Sequence, residues 1–435
     1  MKPAEVPVHQ NETASTTESS KRRDAIQPVE RRAAVSLGLI FGLRLIGLFM
    51  ILPVFSLYAH QLSGYTPTLM GLAIGAYGLT QAAFQIPFGL LSDRIGRKRV
   101  IIAGLLIFAL GSVIAALSDS IYGVIAGRAL QGTGAIAAAI MALLADLTRP
   151  TVRTRAMAIL GGSVGISFTL ALVLGPVFNG WIGVPGIFWM TGLLALLAIL
   201  VTRVVVPNPV ESHFHGDTEP VPAQFRRVLS DPQLLRLDFG IFTLHLLITA
   251  NFVALPLLLR DTLQLPSPHH WWLYLPVLLL SVVTMLPIIF FGERRGLVKP
   301  IFLSAIGLMG VAELGLALFS QGMTEVVVLL YLFFVGFNLM EATLPSLVSR
   351  MAPAHSKGTA MGVYSSSQFL GAFVGGAVGG WLLGRFDVSG VFAGCMTMTL
   401  LWLVIASGMA PPETTPSRQR TGETQPSSID SGVNG

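Results

Sequence analysis

Residues 89–101 read GLLSDRIGRKRVI, and residues 287–301 read PIIFFGERRGLVKPI. The acid-Arg-x-Gly core of the first stretch, from Asp93 to Gly96, returns 200 positions later, from Glu293 to Gly296. Each copy is a short cationic loop between long apolar runs. Internal repetition of this kind is typical of duplicated membrane proteins. The two loops therefore predict a chain built from two related halves.

Composition indicates that lipid is the solvent for most of the chain. Hydrophobic residues make up 53% of the 435 residues and charged residues 11%, whereas a soluble domain has about 25% charged residues. The net charge of +6 does not predict nucleic-acid binding, because Lys and Arg lie in short loops rather than on one soluble face. A single Cys395 and an isolated His213/His215 pair predict neither a disulfide nor a metal site. We expect no cofactor and no catalytic constellation.

Twelve apolar runs are long enough to cross a bilayer as helices, at about 20 residues per span. They are residues 33–58, 69–91, 100–118, 122–145, 156–178, 186–206, 236–259, 271–291, 300–319, 325–348, 358–383 and 389–410. This pattern predicts an all-α membrane protein with twelve transmembrane helices in two six-helix repeats.

Polar segments divide the chain into five parts. We interpret residues 33–206 and 236–410 as two six-helix bundles, joined by a cytoplasmic linker at 207–235. The ends, 1–32 and 411–435, are rich in Ser, Thr, Glu and Pro and predict disordered cytoplasmic tails. A second repeated stretch, with Pro150 matching Pro353, supports two halves in the same orientation and a cavity at their interface.

The distribution of positive charge predicts the orientation. With both termini in the cytoplasm, Arg260 and Arg385 fall on the outer side, Arg44 and Arg128 lie within spans, and the other 24 of the 28 Lys and Arg residues are cytoplasmic. The positive-inside rule favours this arrangement. We therefore expect a multi-pass bacterial inner-membrane protein, acting as a monomer, whose two repeated loops face the cytoplasm.

Three motifs carry a family resemblance. The loop after span two has the signature residues Gly89, Asp93, Arg94, Gly96, Arg97 and Lys98. Span four has an Arg-x-x-Gln-Gly motif that starts at Arg128, and span five has Gly175-Pro176 in a motif where Ala171 and Asn179 replace glycines. Residues 33–410 thus resemble the major facilitator superfamily, its twelve-span drug:proton antiporter branch, and most closely the YajR-type transporters. The printed sequence lacks the C-terminal soluble domain of that type, so we expect no regulation by it.

The loop after span two is the expected gate. Asp93 is placed to meet the start of span eleven around Gly358, where free backbone N–H groups and the positive helix end favour an anion. The resemblance further implies that Arg97 pairs with Asp146 at the end of span four. The alternative is that the cations of this loop only set the topology.

Charges inside spans are costly, by roughly 2.5–3.5 kcal/mol on insertion scales, and usually face a cavity or a partner. Arg44 lies eleven residues into span one, about 17 Å deep at about 1.5 Å per residue. Arg128 is shallower and could extend to the outer interface instead. Glu341, with Asn338 one turn away, is expected in the central cavity, whereas Glu313 on span nine is expected to be structural.

Polar stripes mark two further helix faces. Tyr77, Gln81 and Gln85 recur every four residues on span two, and His245 lies on a similar stripe on span seven. Such stripes contact substrate or form hydrogen bonds between helices. Gly175-Pro176 is expected to bend or stop span five.

These features predict a secondary transporter. The preferred hypothesis is proton-coupled export of small amphipathic compounds or drugs by rocker-switch alternating access, with Glu341 or Asp146 binding the proton. A proton gradient would act because one charge moved through the membrane potential is worth about 2.3 kcal/mol per 100 mV. The alternatives are an importer or uniporter of a sugar or metabolite, favoured by the incomplete span-five motif, and a non-transporting receptor. The expected partners are a small-molecule substrate, protons and lipid.

Overall fold

The computed structural model describes residues 26–208, 222–353 and 356–410, without the side chains of Pro222 and Glu293. The His213/His215 pair and residues 1–25 and 411–435 of the two predicted tails lie outside the described residues. Within the described ranges the chain is helical, and the only β-type pairing is an isolated bridge between Ser63 and Ser120.

The described ranges contain ten helical stretches that are long and apolar enough to cross a membrane. In chain order they are Pro28–Gln61, Pro67–Ile95, Arg97–Ala116, Ile121–Asp146, Pro150–Val204, Pro232–Thr262, Ser267–Gly292, Val298–Phe319, Met323–Met351 and Lys357–Ser407.

Two of these stretches are double length, and each contains two spans. Pro150–Val204 has 55 residues and is broken at Gly183, where φ is 67°. Lys357–Ser407 has 51 residues and is broken at Asp387, where φ is 57°. A left-handed residue cannot continue an α-helix. Counting both halves of each stretch gives twelve spans, so the predicted all-α fold is confirmed.

Two other spans are interrupted near the middle of the bundle. Span one consists of Pro28–Phe49 and Leu52–Tyr58. Span four consists of Ile121–Thr133 and Ala137–Asp146. The interruption in span four leaves the carbonyl of Gly134 outside the helical hydrogen-bond pattern. The guanidinium of Arg44, on span one, donates a hydrogen bond to this carbonyl.

The predicted limits of the N-terminal tail and the linker are wrong by several residues. Residues 28–32 are already helical, because the carboxylate of Glu30 accepts hydrogen bonds from the Arg149 guanidinium at 2.7 and 3.0 Å and caps the helix at Gln27. Residues 232–235 are helical too, since Asp231 accepts from the backbone N–H groups of the first turn of span seven. Apolarity alone does not show these polar helix ends.

The two repeated loops turn the chain in the same way. Gly96 has φ 99° and Gly296 has φ 67°, and each lies between two transmembrane helices. A side chain is strained in this backbone region, whereas glycine is not. The glycine of each copy is thus explained by the turn that it makes. We call the end of the bundle that carries these two turns the loop end, and the opposite end the far end.

The two halves are closed against each other at the far end. Glycines of spans two and eleven pack backbone to backbone there, with Gly71 against Gly376 and Gly380. On the other side of the bundle, Asn179 Nδ2 of span five donates to Ser267 Oγ at 3.3 Å, at the start of span eight. Such close packing of small residues is typical of helix contacts in membranes.

At the loop end, span five presents an open surface. Gly161, Gly162 and Gly165 are exposed, and a side chain added at any of them would meet no atom within 4 Å. In this conformation no other described residue packs against these three glycines. The two halves are therefore in contact at the far end, whereas this part of span five at the loop end is not covered by another described helix.

Candidate functional site: a loop-end ion cluster and two polar networks

The loop after span two forms a buried ion cluster around Arg97. The turn at Gly96 starts span three with Arg97, whose guanidinium contacts the Asp93 carboxylate and donates to Ser92 Oγ at 2.8 Å. Its Nε lies 3.4 Å from Asp146 Oδ2 at the end of span four. The side chains of Arg97 and Asp146 are 2% and 0% exposed. The pairing that the resemblance implied is present, and it joins three helix ends.

The second half of the chain has no equivalent pair. Leu297 follows Gly296 where Arg97 follows Gly96, and Ser349 precedes Pro353 at the spacing at which Asp146 precedes Pro150. The duplicated turn is therefore present in both halves, whereas the two residues of the Arg97–Asp146 pair are charged in the first half and replaced by uncharged residues in the second.

Asp93 lies at the loop end of span two, and Gly358 lies at the loop end of span eleven. Asp93 pairs with Arg97 at the end of span two, and Gly358 at the start of span eleven lines a small cavity with Gln85 and Ile86 of span two. The contact between Asp93 and span eleven remains a prediction for the conformation in which the loop end is closed.

The other motif residues of the loop have separate contacts. Lys98 Nζ donates to Val206 O at 2.6 Å and Asn208 Oδ1 at 2.7 Å, so it caps the end of span six. Arg94 is exposed, as expected of a residue that sets topology. Gly89 O accepts from Ser92 Oγ at 2.6 Å and so supports the residue that contacts Arg97.

Arg44 is the centre of a buried network in the first half. Its Nη2 donates to Gln81 Oε1 at 2.8 Å and to the freed carbonyl of Gly134 at 2.9 Å. Its guanidinium carbon lies 5.6 Å from the ring centre of Tyr77 and 5.3 Å from that of Phe108, within cation–π range. Arg44 is 1% exposed, and its Nε and Nη1 have no hydrogen-bond partner within the described part of the chain. The predicted deep cation is thus held by amides, carbonyls and aromatic faces.

Arg128 belongs to the same network, so the alternative in which it extends to the outer interface is wrong. Its three guanidinium nitrogens donate to Ala73 O at 3.4 Å, Ile74 O at 3.3 Å and Gln131 Oε1 at 3.0 Å. Arg128 is 3% exposed, and its guanidinium carbon lies 5.4 Å from the ring centre of Tyr77. The carbonyl groups of Ala73 and Ile74, near the start of span two, thus bind Arg128 inside the bundle.

Glu341 lies in the second half, in a different environment. Its Oε2 is buried and has no hydrogen-bond partner among the described residues. Asn338, one turn earlier, donates to Ser281 Oγ of span eight at 2.9 Å and so does not satisfy Glu341. The two side chains therefore make separate contacts, although they lie one turn apart on span ten.

Sequence reasoning missed Asp238. It is 6% exposed, and its Oδ2 has no hydrogen-bond partner among the residues that the structure describes. Tyr364 interacts electrostatically with both Asp238 and Glu341. Asp238 stands two turns before His245 on span seven, which places it on the face that the polar stripe had already marked. The spacing between Asp238 and His245 could have indicated that Asp238 faces the same way as the polar stripe. Asp238 was overlooked because it lies near the start of the helix.

The other polar side chains of span seven make hydrogen-bond contacts with neighbouring helices. His245 Nε2 lies 2.7 Å from Gln368 Nε2 of span eleven. Asn251 Nδ2 donates to Glu313 Oε1 at 2.7 Å, and both residues are buried. Spans seven, nine and eleven are thus joined by polar pairs in the membrane interior.

Gly175-Pro176 does not stop span five. The helix continues through Pro176 and breaks only at Gly183. Gly175 instead lies against Met50 O and Pro53 of span one, at the break between the two helices of that span. The glycine allows close approach between spans one and five.

Comparison with known proteins identifies the fold and the class. The model of the Major Facilitator Superfamily matches residues 37–339 and 237–431. The chain is a member of this superfamily. It is 51% identical to the inner membrane transport protein YajR of Escherichia coli (strain K12) over 385 residues, which cover 88% of this chain and 85% of that protein. It is therefore a multi-pass bacterial inner-membrane transporter and not an enzyme.

More distant relatives include multidrug resistance proteins. Multidrug resistance protein MdtH of Proteus mirabilis (strain HI4320) is 22% identical over 344 residues, covering 78% of this chain and 83% of MdtH. A crystal structure of a bacterial homologue of the human lysosomal transporter Spinster, inward-facing and occupied, matches with a TM-score of 0.66. That match has 14% identity and covers 88% of this chain and 96% of the other, which shows the fold alone.

Proposed function

We propose that this transporter exports small amphipathic compounds in exchange for protons, as a monomer with both termini in the cytoplasm. The observation that carries the proposal is Glu341, a buried carboxylate with an unpartnered oxygen. Protonation would remove its charge, and the membrane potential acts on charge at about 2.3 kcal/mol per 100 mV. The relationship to MdtH supports drug-like substrates.

Alternating access accounts for the contrast between the two ends. With the loop end in the cytoplasm, contacts between Gly71 and Gly376 and between Asn179 and Ser267 close the outer side. The open glycine surface of span five then faces the cytoplasm. We assign this conformation to the cytoplasm-facing state of a rocker switch.

The Arg97 cluster is proposed as the gate of the opposite state. In that state the loop end would close, and Asp93 would leave its position beside Arg97 to meet the backbone N–H groups at the start of span eleven, near Gly358. Arg97 would remain paired with Asp146. Asp146 is the second candidate for proton binding, and it would bind a proton only if this pair opened. Gly89, Arg94 and Gly96 complete the gate as turn and topology residues.

An importer or uniporter is the second candidate. It is favoured by the span-five motif, in which Ala171 and Asn179 stand where the antiporter pattern has glycine. The amide of Asn179 is used in the far-end contact with Ser267. A uniporter needs no titrating carboxylate, so the two candidates differ in their dependence on protons.

Reconstituted transport separates these candidates. Purified protein in liposomes with an imposed pH gradient is tested with ethidium as a cationic probe, chloramphenicol as a neutral probe and nalidixate as an anionic probe. The proposal predicts that at least one probe accumulates against its concentration gradient and that a protonophore abolishes the accumulation. Counterflow of a probe that ignores the pH gradient would identify a uniporter.

A further inference from the structure

The polar stripe on span two is a chain of amides with a fixed direction. Arg44 Nη2 donates to Gln81 Oε1 at 2.8 Å, and Gln81 Nε2 donates to Gln85 Oε1 at 2.7 Å. A guanidinium has only donors, so Gln81 must direct its oxygen to Arg44 and its amide nitrogen to Gln85. The oxygen of Gln85 is then used by Gln81. What Gln85 has left to offer is the N–H donors of its amide.

Gln85 lies where the two halves of the protein meet. It is 2% exposed, and it lines a small cavity with Met141 of span four and Met361 and Ser365 of span eleven. Most of the lining is apolar, and methionine adapts to ligands of different shapes. Apolar walls with a few oriented polar groups are the usual lining of a small-molecule site. The cavity has a volume of about 20 Å³ in this conformation, so it must widen when spans two, four and eleven move apart to admit a ligand.

The network behind Gln85 carries positive charge. Within the described parts of the chain, neither Arg44 nor Arg128 is paired with a carboxylate, and Arg44 keeps two nitrogens without any acceptor. The donors of Gln85 therefore face the cavity from a positively charged side. This positive charge stabilises a negatively charged oxygen in the cavity more than it stabilises a neutral oxygen.

We propose that Gln85 is the hydrogen-bond donor that recognises an acceptor oxygen, preferably a carboxylate, on the amphipathic substrate. Arg44 and Gln81 are positioning residues that keep this donor turned toward the cavity. The proposal deepens the proposed function, because it rests on the cavity being the path of the substrate.

The test is equilibrium binding to the full chain in detergent, without any gradient. Three probes share one apolar body and differ in the head group: 2-naphthoate, its methyl ester and 2-naphthylmethylammonium. Wild-type protein is expected to bind the carboxylate most tightly, the ester next and the ammonium at least about tenfold more weakly than the carboxylate, the size of one hydrogen bond.

Two substitutions reverse the direction of the chain. Gln85→Glu keeps the acceptor for Gln81 but replaces the donor in the cavity by an acceptor, so affinity for the ester should fall about tenfold and affinity for the ammonium should rise. Gln81→Glu leaves Gln85 in place but offers an acceptor to both neighbours. Gln85 must then donate to position 81 and turn its oxygen toward the cavity, so the same reversal is expected at a distance.

Controls separate orientation from charge and from folding. Gln61→Glu adds the same charge at an exposed position on the far-end turn Ala59–Gln61, and it should leave all three affinities unchanged. Gln85→Met removes the donor without adding charge and should reduce the preference for the ester over the ammonium. The ester is the decisive probe, because a change in charge alone does not alter the binding of a neutral acceptor.

The outcomes are distinct from those of the transport assay. Failure of wild-type protein to bind the ester, or an unchanged ester-to-ammonium ratio in folded Gln81→Glu and Gln85→Glu, would overturn the assignment of Gln85. If the predicted binding pattern is observed but no probe is transported in response to a proton gradient, the assignment of Gln85 as the donor holds. The proposed proton coupling would then be wrong.

Discussion

Asp146 Oδ2 lies 3.4 Å from Arg97 Nε, in a pair whose two side chains are almost completely buried. A buried ion pair is weak evidence for stability, but loss of one partner leaves an uncompensated charge and costs about 3–5 kcal/mol. Because the pair joins the start of span three to the end of span four, it holds the gate loop in one position.

We therefore predict strong coupling between these two residues. Arg97→Ala and Asp146→Ala should each lower the free energy of unfolding by about 3 kcal/mol, and the double variant should lose less than the sum by at least about 1 kcal/mol. Denaturant or thermal unfolding in detergent measures this cycle. Arg94→Ala, at the exposed neighbouring arginine, is the matched control and should stay within about 0.5 kcal/mol of wild type. Additive losses would show that the pair does not act as a unit.

Asp93→Asn should greatly reduce transport while membrane insertion stays normal. The amide loses the charge that is proposed to hold the N-terminal end of span eleven when the loop end closes. Transport in vesicles and crosslinking between the loop ends of spans two and eleven are the measurements, and both should fall. Asp119→Asn, at an exposed acid of the far end, should transport normally. Wild-type transport in Asp93→Asn would mean that the loop only sets topology.

Arg44→Ala and Arg128→Ala should impair substrate transport to a similar degree. Both guanidiniums are buried and both lie over Tyr77. Arg44→Lys should rescue only partly, since an ammonium lacks the planar guanidinium that lies 5.6 Å from the ring centre of Tyr77 and 5.3 Å from that of Phe108. Initial transport rates, normalised to the amount of folded protein, decide the matter. Near-normal rates in both alanine variants would remove the network from the transport path.

Gly376→Ala should open the far end. An added methyl group would lie 2.5 Å from Gly71 O and 2.9 Å from Gly75 N, so spans two and eleven could not keep their present contact. Spin labels at the exposed positions 61 and 269, one in each half, should move apart. Gly161→Ala meets no atom within 4 Å and should leave that distance unchanged. An unchanged distance in Gly376→Ala would contradict the closed far end.

The sequence was sufficient for the fold because lipid imposes a simple rule. A span needs about 20 apolar residues and satisfies its own backbone hydrogen bonds, so counting apolar runs finds the helices. It does not find their polar ends, such as the turn capped by Glu30, because hydrogen bonds rather than apolarity define them. Nor does it show that a helix continues through Pro176.

The functional residues were predictable as types and only partly as partners. Arg44 and Glu341 stand out because buried charge is costly, and Arg97 and Asp146 were paired by resemblance. The position of Arg128 depended on carbonyls of span two that no sequence pattern specifies. Asp238 was missed because it lies near the start of span seven, where a charged residue does not stand out as it does in the middle of a span.

The central claim is that a buried carboxylate couples proton movement to export, and Glu341→Gln tests it most directly. The amide imitates the protonated form with little change in shape. Liposomes loaded with the best probe of the transport screen report both equal-compartment exchange and gradient-driven accumulation for wild type and Glu341→Gln. Glu325→Gln, at an exposed acid in the first turn of the same span, is the control. We predict that Glu341→Gln still exchanges the probe between equal compartments but no longer concentrates it. Full gradient-driven accumulation in Glu341→Gln would contradict the account and would leave Asp146 as the candidate for proton binding.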